Sequence, residues 1–337
     1  MINELWYTVG PSSLGKEEAL LAEGATGARF TFSFGTPELQ HERAADLKAA
    51  ASKQQVTGHT IADLAGGKIR LGTFDGVSSI DVKAGDAFEM VLATSTDPMK
   101  SSELPVPDAA FFAMAAQNDF VTVGDGAAVL IIDRVNGQRL RVVASDDGTI
   151  NQTRGLTIQG NAFRPACLTN KDMGELSSIV ASNLYDIVML SFVSSADDVY
   201  IAKKMIRDAG KQIQVAAKIE TALGVENLDD ITKEADCLVA ARGDLALALP
   251  WVDLPAAVHA IAEASLRKSK PWIVATQIAE GLERFAFPTR AEIGDCAHWL
   301  NDENAAGCLL SYETVFGPHP IAAVRSVRKM INRWGRR

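Results

Sequence analysis

Two apolar runs end in residues able to do chemistry. The run IQVAAKIE closes on Lys218 and Glu220, and the run CLVAARGD closes on Arg242, Gly243 and Asp244. Both read as strands separated by a helix, and in a parallel α/β protein such strand ends emerge on one face, because each crossover helix returns the chain to its starting side. One lysine and two carboxylates then share the carboxyl edge of a sheet. Two carboxylates, completed by water and a ligand's oxygens, suit Mg²⁺, a hard cation that takes six oxygens. A lysine beside such a metal can stabilise negative charge on a carbonyl or phosphoryl oxygen. Taken singly, each residue is an ordinary cap carboxylate or a snorkelling lysine. Their coincidence at successive strand ends is what points to chemistry.

The rest of the chain must position that group. With 337 residues, 47% hydrophobic and 22% charged, the composition is that of a globular protein with one large domain, or one large and one small. A net charge of −9 argues against a general nucleic-acid binder, and the basic run KMINRWGRR suits the end of a helix. The four cysteines, Cys167, Cys237, Cys296 and Cys308, form no CxxC pair and read as reduced core residues. The five histidines fall in no HExxH or HxH spacing. No signal-peptide pattern and no apolar run of roughly 18–20 residues is present, so neither membrane insertion nor export is expected and the cytoplasm is the default.

Strand-like runs begin near residues 5, 28, 56, 187, 213, 237, 272 and 307, and each leads into a helical pattern except the third. The helical patterns cover 16–23, 37–55, 170–184, 196–209, 228–235, 254–269, 290–304 and 320–334. After the third strand, from about residue 73 to 166, short β runs alternate with turn signals such as KAGD, GDG and SDDG, and the pair Asn136-Gly137 marks a hairpin. The expected architecture is therefore a TIM (β/α)₈ barrel over 1–72 and 167–337, with a small β-rich lid domain, 73–166, inserted after the third strand. An open doubly wound sheet would not explain polar residues at nearly every strand end: Arg29, Asp63, Arg70, Lys218, Glu220, Asp244, Thr276 and Glu313. In a barrel these converge at one mouth. GxGxxG and Walker motifs are absent.

The motifs resemble those of the pyruvate kinase family over almost the whole chain and in the right order. TVGPSS at 8–13 is similar to the family's TIGP, ARFTFSFG at 28–35 to ARLNFSHG, DLAGGKIRLG at 63–72 to DTKGPEIRTG, and VGDG at 123–126 to VDDG of the lid. VAAKIETALGVENLDDI resembles the catalytic-lysine region and VAARGDLA the metal-binding region, and ATQIAEGL, PTRAE and SYET follow. The resemblance implies that Lys218 stabilises the transferring phosphoryl group and the enolate oxygen. It implies that Glu220 and Asp244 hold Mg²⁺ or Mn²⁺, and that Arg29 and Arg70 bind the phosphoryl group. Arg242, Gly243, Asp244 and Thr276 would bind the substrate, with the amides near Gly243 receiving its carboxylate and Thr276 on the face where the enolate carbon is protonated.

The nucleotide side departs from the family. Its Asn and His in ARLNFSHG are Thr31 and Phe34 here, its Thr-Lys after the aspartate are Leu64 and Ala65, and the Gly of SGET is Tyr312. Pro11, Arg70, Lys171 and Asp125 remain as nucleotide or lid contacts. Lys68 stands where potassium-dependent members carry Glu; with Ser33 and Asp63 it would substitute for the monovalent cation, so no K⁺ requirement is expected. The chain ends about where the barrel does, so neither the family's C-terminal regulatory domain nor sugar-phosphate allostery is expected.

Three functions follow. The first is glycolytic-type phosphoryl transfer from phosphoenolpyruvate to ADP or another acceptor, through a metal-stabilised pyruvate enolate. The second turns the same enolate of pyruvate or an oxaloacetate-type 2-oxo acid to aldolase, lyase or decarboxylase chemistry. The third is a non-catalytic binding protein. The partners are small molecules in the first two, and self-association is left open.

Overall fold

Eight short parallel strands close on themselves in the computed structural model, which describes residues 3–160, 163–285 and 287–335. Asn161 and Ala162 of the 73–166 segment, and Arg336 and Arg337 of the basic C-terminal run, lie outside the described residues. The strands are β1 (Glu4–Thr8), β2 (Gly27–Thr31), β3 (His59–Asp63), β4 (Ile187–Leu190), β5 (Gln214–Ile219), β6 (Cys237–Ala241), β7 (Trp272–Ala275) and β8 (Gly307–Leu309). Their order around the barrel is β1, β8, β7, β6, β5, β4, β3, β2. The closed α/β barrel expected from the strand count is the one observed.

Side chains alternate between the two faces of each strand. Trp6, Ile61, Met189, Ala216, Val239, Ile273 and Leu309 fill the barrel interior. Tyr7, Phe30, Ala62, Val188, Ala217 and Leu238 pack outward against the helices. One alternation beyond the inward residues come Thr8, Asp63 and Lys218, so the strand period itself aims polar groups into the mouth.

Helix starts follow their caps. Thr36 caps Pro37–Gln54, and capping boxes at Thr169–Asp172, Ser195–Asp198 and Thr289–Glu292 open Asn170–Ser182, Ala196–Asp208 and Arg290–Ala297. The opposite end of the barrel is tied by aspartates just before two strands. Asp186 accepts from the Thr60 amide at 2.9 Å and Asp236 from the Val215 amide at 2.9 Å, with Lys48 and Lys203 as their cations.

Two local features shape the mouth. The second strand stops at Thr31, where the Gln40 amide donates to the carbonyls of Thr31 (3.0 Å) and Phe34 (2.7 Å) and holds a turn. A helix, Arg242–Ala248, begins directly after β6, so Gly243 and Asp244 lie in its first turn.

Within 73–160, Leu156–Ile158, Phe120–Val123, Ala128–Val135, Arg139–Ala144, Ala87–Val91 and Glu103–Pro105 form one sheet in that spatial order. It has its own apolar cluster, including Met90, Leu104, Phe111, Val121, Leu130 and Val142. Asn136 and Arg139 exchange backbone hydrogen bonds around Gly137, which takes φ 58°. The chain enters and leaves this segment as a paired ribbon: the Leu71 amide donates to Arg154 at 2.9 Å and the Leu156 amide to Ile69 at 2.9 Å. Among the described residues no helix is long and apolar enough to cross a membrane, and all four cysteines are buried and free.

Candidate active site

The barrel mouth and the ribbon together enclose a cavity of about 620 Å³. Lys218 lies in its wall, with a side chain only 10% exposed. Its ammonium stands 2.8 Å from Asp63 Oδ1 and 3.7 Å from Glu220 Oε1. Asp63 in turn faces Arg29 at 3.6 Å, and Arg29 donates to Thr8 Oγ1 at 2.8 Å and Ser311 Oγ at 3.1 Å. Burial works against the Lys218 charge, but Asp63 and then Glu220 outweigh it, and its pKa moves up from the usual lysine value. The group is a fixed cation rather than a base.

Glu220 is the counterpart. Burial raises its pKa most, Lys218 opposes, and the Asp244 carboxylate raises it again. Its Oε2 accepts the Phe192 amide at 2.8 Å. Glu220 and Asp244 both line the cavity. Among the described residues no cluster of three or more His, Cys, Asp or Glu forms a closed cage. Two hard carboxylates with open positions fit Mg²⁺ or Mn²⁺ completed by substrate oxygens and water. Lys68 also lines the cavity, paired with Asp244 at 2.7 Å.

Thr276 follows β7 in a left-handed conformation, φ 74°, and Gln277 repeats it at φ 52°. For a β-branched residue this is strained backbone. Arg242 holds it in place, donating to the carbonyls of Ala275 (3.1 Å) and Thr276 (2.6 Å) and pairing with Asp295 at 2.6 Å. A Cβ on Gly243 would stand 3.1 Å from the Thr276 methyl group, so glycine keeps this corner open.

Arg29, Asp63, Lys68, Arg70, Lys218, Glu220, Gly243, Asp244 and Thr276 are thus brought to one cavity, as are Pro11 and Asp125. Arg242 is not among the lining residues, because its guanidinium is spent on the Ala275 and Thr276 carbonyls and Asp295. Lys171 is turned away too, onto the Phe32 carbonyl at 2.9 Å and Glu175 at 2.6 Å. Ser33 lies outside the lining, and Lys68 meets Asp244 instead. Of the departures on the nucleotide side, Thr31, Phe34 and Tyr312 line the cavity, while Leu64 is fully buried. Sequence reading missed Thr8 and Ser311, which orient Arg29, and the lining residues Arg43 and Arg154. Thr8 ends β1, so the strand-end signal that found Asp63 applies to it equally.

The family model "Pyruvate kinase, barrel domain" matches residues 3–324. A pyruvate kinase of Chlamydia muridarum is 32% identical over 329 residues, covering 96% of this chain and 67% of that protein. One from Thermotoga maritima is 31% identical over 332 residues, covering 96% and 69%. The chain therefore spans about two thirds of the length of these relatives. A crystal structure of a pyruvate kinase from Cryptosporidium parvum superposes with a TM-score of 0.90 at 24% identity, over 98% of this chain and 68% of that one, which shows the shared fold. With a family model running through both the barrel strands and the cavity they surround, this chain belongs to the pyruvate kinase family.

Proposed function

We propose that the chain is a pyruvate kinase-like phosphotransferase that moves the phosphoryl group of phosphoenolpyruvate to an acceptor, ADP or another, by way of the pyruvate enolate. In this reading 1–72 and 167–337 form the catalytic barrel and 73–166 a lid over its mouth. The observation that carries it is the buried Lys218 ammonium, kept charged between Asp63 and Glu220 in a cavity that Arg29 and Arg70 also line. Negative charge gathers on the transferring phosphoryl group and on the enolate oxygen. A cation fixed in advance, in a site of low dielectric, stabilises both without reorganising. Arg29, locked by Thr8, Ser311 and Asp63, receives phosphoryl oxygens, and Arg70 approaches from the ribbon. The first turn of Arg242–Ala248 offers its amides to the substrate carboxylate. Thr276, held by Arg242, stands where the enolate carbon takes or gives its proton. Glu220 and Asp244 would hold Mg²⁺ or Mn²⁺, which when bound neutralises charge on phosphoryl and enolate oxygens.

A second reading, aldolase, lyase or decarboxylase chemistry on 2-oxo acids, is favoured by one observation. Phe34 and Tyr312, where the family contacts the nucleotide side, are 69% and 47% exposed in the cavity wall. Deuterium exchange at the methyl group of pyruvate, followed by NMR in D₂O with Mg²⁺ or Mn²⁺, separates the two. Exchange that needs ATP or phosphate supports phosphoryl transfer. Exchange with the divalent cation alone moves the assignment to the second reading. No exchange under any condition overturns both.

A further inference from the structure

The 73–166 segment carries a recess of its own. Glu89, Arg134, Asn136, Arg139 and Arg141 line an open groove of about 420 Å³ on its sheet. None of the five lines the barrel mouth. Gly124 and Asp125, which do, precede the strand Ala128–Val135. From Ala128 to Arg134 the strand runs about 20 Å at the usual rise per residue, so the groove lies at its far end.

An irregularity in the ladder brings the arginines together. Ile132 pairs with Val142, and both are buried in the apolar cluster of the sheet. A regular ladder would next set Asp133 opposite Arg141, and then Arg134 opposite Leu140 on the buried face. The register shifts between Ile132 and Arg134 instead, and Arg134 stands opposite Arg141. Such a bulge re-aims a side chain. Arg141 is in turn opposite Glu89, and Arg139 lies two residues away on the same face.

The bulge thus exchanges an opposite-charge pair for two guanidinium groups facing each other, which is unfavourable until something negative joins them. The neighbouring carboxylates do little of this. Asp133 stands 3.2 Å from Arg141 Nε, and Glu103 accepts one hydrogen bond from Arg139 Nη1 at 2.9 Å. Arg134 has no acidic partner among the described residues. Three guanidinium groups against the single carboxylate of Glu89 leave the lining with an excess of positive charge. Most of their N–H groups are unspent, and guanidinium forks match the paired oxygens of a phosphate.

We propose that this groove binds a doubly charged oxyanion, phosphate or a phosphate monoester, bridging Arg134 and Arg141 with Arg139 beside them. The site is separate from the barrel mouth and does not depend on the reaction assigned there. Charge and shape define its ligand. A tetrahedral dianion has oxygens for all three forks, whereas a monocarboxylate or a halide does not.

Titration of the isotope-labelled whole chain, followed by NMR at the backbone amides of Asn136, Gln138 and Arg139, tests this. The probes are inorganic phosphate, glycerol phosphate and acetate, with ionic strength held constant by sodium chloride. Both phosphates move these amides saturably, and acetate does not. Equal affinity for the two identifies free phosphate as sufficient, and tighter binding of glycerol phosphate identifies an ester. Phosphate bound at the barrel mouth is read separately, at the Gly124 amide. Arg134→Ala with Arg141→Ala weakens the response at least about tenfold, the effect of losing one charge-assisted hydrogen bond. Glu89→Gln tightens it, because the one opposing charge in the lining is gone. That variant keeps every arginine, so the proposal stays testable if the double variant does not fold. No saturable shift at millimolar phosphate, an equal response to acetate, or a Glu89→Gln protein that binds phosphate no tighter overturns the proposal.

Discussion

Lys68 Nζ stands 2.7 Å from Asp244 Oδ1, joining the loop after β3 to the first turn of the helix after β6. The side chain passes under the ribbon. A Cβ on Gly155 would come within 2.9 Å of Lys68 Cε, so the ribbon and the lysine stem are in close contact there. The 73–166 segment, the loop carrying Lys68 and a carboxylate of the candidate metal pair are therefore mechanically linked. The lysine also delivers a permanent positive charge to the mouth, where strongly negative oxygens would gather.

That charge predicts indifference to monovalent cations. Pyruvate methyl exchange should proceed at the same rate in potassium, sodium and choline salts at fixed ionic strength. Lys68→Met should then acquire activation by K⁺, because a mobile cation can replace the missing ammonium. Strong K⁺ activation of the unaltered protein would refute the role given to Lys68.

Lys218→Met should reduce methyl exchange by about 10²–10³-fold, the cost of removing one preorganised charge stabiliser. The substitution also leaves Asp63 and Glu220 without their shared cation, so a melting curve must accompany the rate. A folded Lys218→Met protein that still exchanges at the original rate would show that the site is assigned to the wrong residues.

The barrel was legible because its strands are buried on both faces and read as nearly unbroken apolar runs, such as Ile187–Leu190 and Cys237–Ala241. Helix starts were legible because Thr and Ser caps are local signals. The mouth residues could be found because strand ends converge in a closed barrel. What escaped was set by distant partners. Gln40 ends β2 from six residues beyond Phe34, by donating to its carbonyl. Arg242 and Lys171 carry suitable charges, but Asp295 and Glu175 decide where those charges point. Arg43 and Arg154 sit on a helix and on the ribbon, away from any strand end, so no periodicity marks them as cavity residues. The helix Arg242–Ala248 lacks a side-chain cap, which is the signal that would have announced it.

The base of the barrel should respond to acid through Asp186. Burial alone would raise its pKa, but hydrogen bonds from the Thr60 amide and hydroxyl, followed by Lys48, outweigh it and hold the carboxyl below the usual value. A carboxyl depressed in the folded state contributes stability that is present above its unfolded pKa of about 3.9 and is lost as pH falls through the lower folded value. Asp186→Asn should therefore melt lower than the parent at neutral pH, with the gap closing as the pH drops below about 4. Melting temperatures of both proteins across that range check the sign. A gap independent of pH would mean that the charge of Asp186 contributes nothing.

The closing seam offers the sharpest test of the fold. Glu4 of β1 pairs with Gly307 of β8, joining the two ends of the chain. A Cβ on Gly307 would lie 2.0 Å from the Glu4 carbonyl oxygen and 2.6 Å from its carbon, both backbone atoms that cannot swing aside. Gly307→Ala should cost about 3 kcal/mol in urea unfolding, at the upper end of overpacking penalties, because the seam must open to admit one methyl group. Gly174→Ala is the counterpart. Its added Cβ meets nothing within 4 Å, and the position lies inside the helix Asn170–Ser182, so it should stabilise by about 0.5–1 kcal/mol through the backbone entropy of the unfolded chain. The two identical chemical changes should move stability in opposite directions. If Gly307→Ala unfolds at the same urea concentration as the parent, the β1–β8 register is wrong and the barrel does not close as described.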